Sequence, residues 1–154
     1  MTNLKKRLWI DADACPKPIK EIIFRAALRT QTTVILVSNQ WISTPISPFI
    51  QKVQVSQGFD KADAYILEHM QSAELVITAD IPLAAQVIDK NGYALNPRGE
   101  LYTHANVKQQ LAMRNLHTEL RGAGLIIGGP AKINPQQVQA FANHLDQWLT
   151  RNKS

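Results

Sequence analysis

Five aspartates stand where an apolar run gives way to a turn or to the start of a helical stretch, and that placement invites chemistry. Asp11 and Asp13 close the run in LWIDADACPKP, Asp80 closes ELVITAD, and Asp60 and Asp63 open GFDKADAYI after KVQVSQ. Only Asp89 and Asp146 fall elsewhere. Two unit charges about 4 Å apart repel by roughly 4 kcal/mol at an effective dielectric of about 20, so gathered carboxylates need protons or a cation. Oxygen ligands suit a hard ion, Mg²⁺ or Mn²⁺, better than zinc, and the four histidines show no ligand spacing. Such an ion activates water and shields the charge that builds on a phosphodiester, so the chemistry expected of Asp11, Asp13, Asp60, Asp63 and Asp80 is phosphoryl chemistry.

Simpler roles stand beside this one. Asp60, and Asp80 just ahead of IPLAAQ, both read as helix N-caps, a role that can coexist with metal binding. Asp11 and Asp13 are harder to explain structurally, because two acids directly after a buried strand are costly without a partner. Cys15 reads as a small buried apolar residue rather than a nucleophile. Substrate grip is expected from Lys17, Lys20 and Arg98 and from Arg114, His117 and Arg121, which share one helical face at spacings of three and four. An ordinary solvated face would look the same. Aromatic residues make up only 6% of the chain, and no aromatic and basic alternation marks a stacking platform. GLIIGGPAKI lacks the Gly-Lys-Ser/Thr ending of a P-loop and reads as a turn or flexible loop.

The elements that must position these residues follow from composition and periodicity. A chain of 154 residues with 45% hydrophobic content is expected to form one domain over 1–154 with a substantial core. Seventeen Lys and Arg against twelve Asp and Glu give a net charge of +5, a bias toward anionic partners such as nucleic acid. One cysteine excludes an internal disulfide and a Cys-rich zinc site. The first apolar run ends too early for a signal-peptide core, and no stretch approaches a membrane span, so a soluble, cytoplasmic protein is expected, without membrane contact.

Short Val/Ile/Leu-rich runs alternate with stretches of helical period, the pattern of βαβ units on a mainly parallel sheet. The strands expected are RLWI, TVILVS, KVQVS, ELVIT and YALN. Helices are expected after Pro16 and Pro18 (apolar Ile19, Ile22, Ile23, Ala26, Ala27), from near Asp60 (Ile66, Leu67, Met70), and after Pro82 (Leu83, Ala84, Val87, Ile88). Two more run from Asn106 to about Arg121 and from Asn134 and Pro135 onward. Asp63, four residues before Leu67 and seven before Met70, shares their face and is expected to turn toward the sheet. Ligands of open parallel sheets bind at the carboxyl ends of the strands, where the aspartates gather.

IDADACP, VSNQ, GFDKADAYI, VITADIPLA, NPRGELYT and GGP together make the chain resemble the YaiI/YqxD family of uncharacterised bacterial proteins over essentially its whole length. That family is similar in turn to the PIN-like nuclease superfamily, whose α/β fold gathers acidic residues at strand ends to hold Mg²⁺ or Mn²⁺ and cleave RNA. The resemblance implies a single-domain three-layer PIN-like sandwich, with Asp11, Asp63 and Asp80 as catalytic acids and Asp13 and Asp60 as auxiliary ligands. It also brings Asn39 of VSNQ to the substrate side, makes RNA the expected partner, and leaves a homodimer open. One departure stands out: PIN ribonucleases usually supply a further mid-domain glutamate, and residues 31–59 contain no acid. An aspartate pair after the first strand is also similar to haloacid-dehalogenase-like phosphatases, with Thr78 as second-strand hydroxyl, but there DADA would not lead into CPKP. A non-catalytic RNA- or nucleotide-binding module with structural Mg²⁺ is the remaining reading. The order is nuclease, binding module, phosphatase.

Overall fold

The computed structural model describes residues 5–58, 61–124 and 132–152. Among the described residues five strands form one all-parallel sheet: β1 (Leu8–Asp11), β2 (Val34–Ser38), β3 (Ile50–Gln54), β4 (Leu75–Ile77) and β5 (Tyr93–Leu95), in the order β3-β2-β1-β4-β5. Five α-helices accompany them among the same residues: α1 (Lys17–Thr30), α2 (Lys61–His69), α3 (Ile81–Asp89), α4 (His104–Gly122) and α5 (Pro135–Arg151). The sheet is parallel as expected, and among the described residues every strand pair is parallel. Because β1 is paired with β2 on one side and β4 on the other, the chain switches direction across the sheet between β1 and β4. That is where a crevice opens at the carboxyl ends of such strands.

Alternation along the central strands divides the core into two layers. Leu8, Ile10, Leu36 and Ile77 pack with Ile19, Ile23 and Ala27 of α1 and Phe141, Leu145 and Trp148 of α5. Trp9, Ile35, Val37 and Val76 face the other way, against Ile66 of α2, Leu83, Ala84 and Val87 of α3 and Val107 of α4. The result is a three-layer α/β sandwich. Both faces of β1 and β2 are covered, which is why these strands are continuous apolar runs. Full burial of each large side chain in these layers is worth about 1.5–3 kcal/mol.

Boundaries differ by two residues from the expected ones at β3 and at the start of α4, and by one residue at several strand ends. β3 begins at Ile50, not Lys52, because Val34 already donates its N–H to the Phe49 carbonyl at 2.7 Å. As an edge strand it exposes Gln51, Lys52 and Gln54, so its hydrophobic pattern is weak. α4 begins at His104 rather than Asn106, because Thr103 is its N-cap and Asn106 closes a reciprocal capping box with it. α5 starts as expected, capped by Asn134 with Pro135 in its first turn. Among the described residues no helix is long and apolar enough to cross a membrane.

Candidate active site

β1 delivers Asp11 to the sheet's carboxyl edge because its apolar run ends there and the chain turns at once into one turn of 3-10 helix, Ala12–Ala14. Asp11 precedes that turn without capping it through its side chain. Its Oδ2 instead accepts a hydrogen bond of 3.0 Å from the Thr78 hydroxyl, just beyond β4. The same hydroxyl oxygen accepts the Asp80 backbone N–H at 2.9 Å, so one buried threonine ties the two aspartate-bearing strand ends together. Asp80 is the N-cap of α3, its Oδ1 accepting from the Leu83 N–H at 3.0 Å. The expected capping role is thus present, and it engages one oxygen of the carboxylate.

Asp11, Asp63 and Asp80 line one pocket of about 250 Å³ with Asn39, Gly58, Lys61 and Ala62. Asp63 comes from the first turn of α2, is half-buried, and lines the pocket with Asp11 and Asp80. Burial lifts the Asp11 carboxyl above its ordinary range; the Thr78 hydrogen bond works against that lift, and the charges of Asp80 and Asp13 add to it. A neighbouring cation would relieve all three raising effects at once. Among the described residues, however, no three acidic, histidine or cysteine side chains stand close enough to form a ready-made metal cage. A larger hollow of about 420 Å³, lined by Asp146, Gln147, Thr150 and Arg151, gathers no comparable set of carboxylates, so size does not choose the site.

The remaining expected residues separate into distinct groups. Asp13 is exposed and outside the described lining; its Oδ2 accepts the Asn39 backbone N–H at 2.9 Å and fastens the β1 turn to the end of β2. Asn39 itself lines the pocket. Asp60 lies outside the described residues, as do residues 125–131 of the Gly-rich segment and the side chain of His117. Lys17 and Lys20 lie in the first turn of α1 and Arg114 and Arg121 are exposed on α4, all outside the described lining. Arg98 also lies outside it, with Nη1 donating to Gln137 Oε1 of α5 at 3.3 Å.

Cys15 is buried, and burial pushes its thiol up to about 12 against the opposing effect of Lys20. A thiolate nucleophile is not available there at neutral pH. Lys61 is the charged pocket residue that no sequence pattern singled out, although it stands two positions before Asp63 in GFDKADAYI. It adds a basic residue to a lining that holds three aspartates. Gly58, at φ +149°, leaves room for it: a Cβ there would lie 3.3 Å from the Lys61 stem.

Comparison with known proteins agrees with the resemblance seen in the motifs. The family model described as "Uncharacterized BCR, YaiI/YqxD family" matches residues 9–151. The UPF0178 protein lpl0088 of Legionella pneumophila (strain Lens) is 54% identical over 146 residues, which cover 95% of this chain and 99% of the relative. The UPF0178 protein Shewmr4_1560 of Shewanella sp. (strain MR-4) is 56% identical over 145 residues, covering 94% and 97%. No solved structure matches with significance.

Proposed function

The chain belongs to the YaiI/YqxD family of bacterial proteins, and from its site we propose that it is a divalent-metal-dependent nuclease of the PIN-like kind, acting on RNA in the cytoplasm. The observation that carries this reading is the convergence of Asp11, Asp63 and Asp80, together with Lys61, on one pocket at the β1/β4 switch point. The donor set is all oxygen, which suits Mg²⁺ or Mn²⁺. Mg²⁺ commonly binds through one or two carboxylates, several waters and substrate phosphate, so two aspartates suffice without a closed cage. Asp11 and Asp80, joined through Thr78, are the pair that would hold it. When bound, the ion supplies an activated water and offsets charge on the scissile phosphate.

The chain's own residues divide the remaining work. Asp63, on the α2 wall of the pocket, orients the attacking water and accepts its proton. Lys61 and the Asn39 side chain face the phosphate, Lys61 neutralising part of its charge. Asp13 keeps Asn39 in place through the backbone bond rather than entering the metal shell. The net charge of +5 favours an anionic polymer as substrate.

Asp80→Asn tests the reading, since asparagine keeps the cap and removes one charge. Wild type should cleave RNA with Mn²⁺ and stop with EDTA, while Asp80→Asn stays folded and loses activity by orders of magnitude. Undiminished cleavage by the variant would remove Asp80 from the metal pair. RNA binding equal in both proteins with no cleavage of RNA or DNA would make this a binding module. Hydrolysis of small phosphomonoesters alone would point to a phosphatase with Asp11 as nucleophile.

A further inference from the structure

Trp9 and Trp148 are buried at 1% and 2% exposure, each with its indole N–H bonded, whereas Trp41 is 71% exposed. An indole left in water is a large apolar surface, of the kind that recognition sites use. Trp41 is also held in place. The Lys52 ammonium lies 4.8 Å from its ring centroid, and the same Nζ donates to the Ile42 carbonyl at 3.0 Å. Position adds the third element: Trp41 is two residues past Asn39, which lines the acidic pocket, so the two Cα atoms are no more than about 7 Å apart.

We propose that Trp41, backed by Lys52, is a stacking platform for an unpaired nucleobase adjoining the phosphate that enters the Asp11/Asp63/Asp80 pocket, so that the substrate is single-stranded. This rests on the nuclease reading and gives that site its substrate class. A flat aromatic face beside a cation offers a base a stacking surface and its phosphate a counter-charge, and it does so for any base. A paired base, stacked inside a duplex, cannot lie on the indole without being unpaired. The competing occupant, another protein strand added to the β3 edge, is disfavoured by Lys52 and the exposed Gln51 and Gln54 on that strand. The two partners are eleven residues apart on different segments, which hides the pairing from any local sequence pattern.

Fluorescence reads this directly, because Trp41 is the one exposed tryptophan of the three. In EDTA, where cleavage is off, a ten-nucleotide oligouridine should quench the emission saturably and a duplex of equal length should not. Anisotropy of a labelled oligouridine should show affinity falling by about 5- to 150-fold in Trp41→Leu and largely restored in Trp41→Phe. Equal affinity of Trp41→Leu and wild type, equal quenching by duplex, or loss of Trp41 exposure through self-association without RNA would each overturn the proposal. Cleavage in Mn²⁺ separates the two readings. Trp41-dependent binding without cleavage leaves the platform and removes the nuclease. Cleavage with unchanged KM in Trp41→Leu does the reverse.

Discussion

The Thr78 hydroxyl donates to Asp11 Oδ2 at 3.0 Å and, through the same oxygen, accepts the Asp80 N–H at 2.9 Å. One buried side chain thereby ties the carboxylate that ends β1 to the residue that caps α3 beyond the neighbouring strand β4. It also stabilises the charged form of Asp11, opposing burial and the charges of Asp80 and Asp13.

Thr78→Val keeps shape and β propensity but removes both roles of the hydroxyl. The Asp80 N–H loses its partner, and the expected cost is about 1–2 kcal/mol, read by urea denaturation. Without its donor Asp11 should titrate at higher pH than in wild type, so the acid limb of divalent-ion binding should move upward. A variant with wild-type stability and an unmoved acid limb would show that the bridge does not set Asp11's charge.

Asp11→Asn should act in the opposite direction on stability. The wild-type carboxyl has a folded-state pKa raised above the ordinary 3.8, so its favourable contribution is complete below that pH and is lost as pH rises toward the folded value. At neutral pH the ionised group is a burden, which asparagine removes while still accepting from Thr78. The variant should therefore melt no lower than wild type in EDTA, and Mg²⁺ or Mn²⁺ should raise the melting temperature of wild type only. A variant that melts well below wild type in EDTA would contradict this account.

Much of this site can be seen in the sequence because its carriers are local. Asp11 ends an apolar strand run, Asp80 stands three residues past another, and Asp63 keeps helical register with Leu67 and Met70. What could not be read is what depends on two segments meeting. Asp13, expected beside Asp11 as an auxiliary ligand, sits within the 3-10 turn Ala12–Ala14, outside the described lining, and its carboxylate accepts the Asn39 N–H. Thr78 as a bridge and Lys52 beneath Trp41 are contacts across segments. The fold was legible where burial is two-sided, as in β1 and β2, and blurred at the edge strand β3, where exposure erodes the pattern.

Glu74 contributes a defined part of the stability that acid removes. This buried carboxylate accepts from the Arg7 backbone N–H at 2.8 Å and Nε at 2.9 Å, the Gln71 N–H at 2.8 Å and the Trp9 indole at 3.1 Å. Burial works against its charge, but the bonds from Arg7, Gln71 and Trp9 outweigh it and hold the group below its ordinary 4.5. With a lowered folded pKa, the stabilisation is complete above 4.5 and disappears as pH falls through the folded value. Glu74→Gln should cost about 2–4 kcal/mol at pH 7, since it removes the charge that Arg7 and Trp9 address. The gap to wild type should narrow as pH falls below 4.5. A gap independent of pH in that range would assign the loss to packing alone.

Gly99 locks the NPRG turn against α5, and its replacement should damage stability without touching the chemistry. The turn is drawn together by Asn96, whose carbonyl accepts the Gly99 N–H and whose side chain accepts the Arg98 N–H, both at 2.8 Å. At φ +95°, Gly99 has a conformation costly to any L side chain. A Cβ there would lie 2.7 Å from both Ala140 Cβ and the Gln137 carbonyl and 2.8 Å from the Phe141 nitrogen. None of these is a flexible chain end, so α5 itself would have to move, and Phe141 is fully buried in the core. Strain and overpacking together should make Gly99→Ala cost roughly 2–5 kcal/mol. For a domain of this size that lowers the melting temperature by about 5–15 °C. The pocket lies at the β1/β4 edge and does not include the turn, so at temperatures where the variant is folded its cleavage rate per folded molecule should equal wild type. A melting temperature unchanged in Gly99→Ala would mean that the turn is not locked on α5. A stable variant with altered cleavage would instead tie the turn to the site.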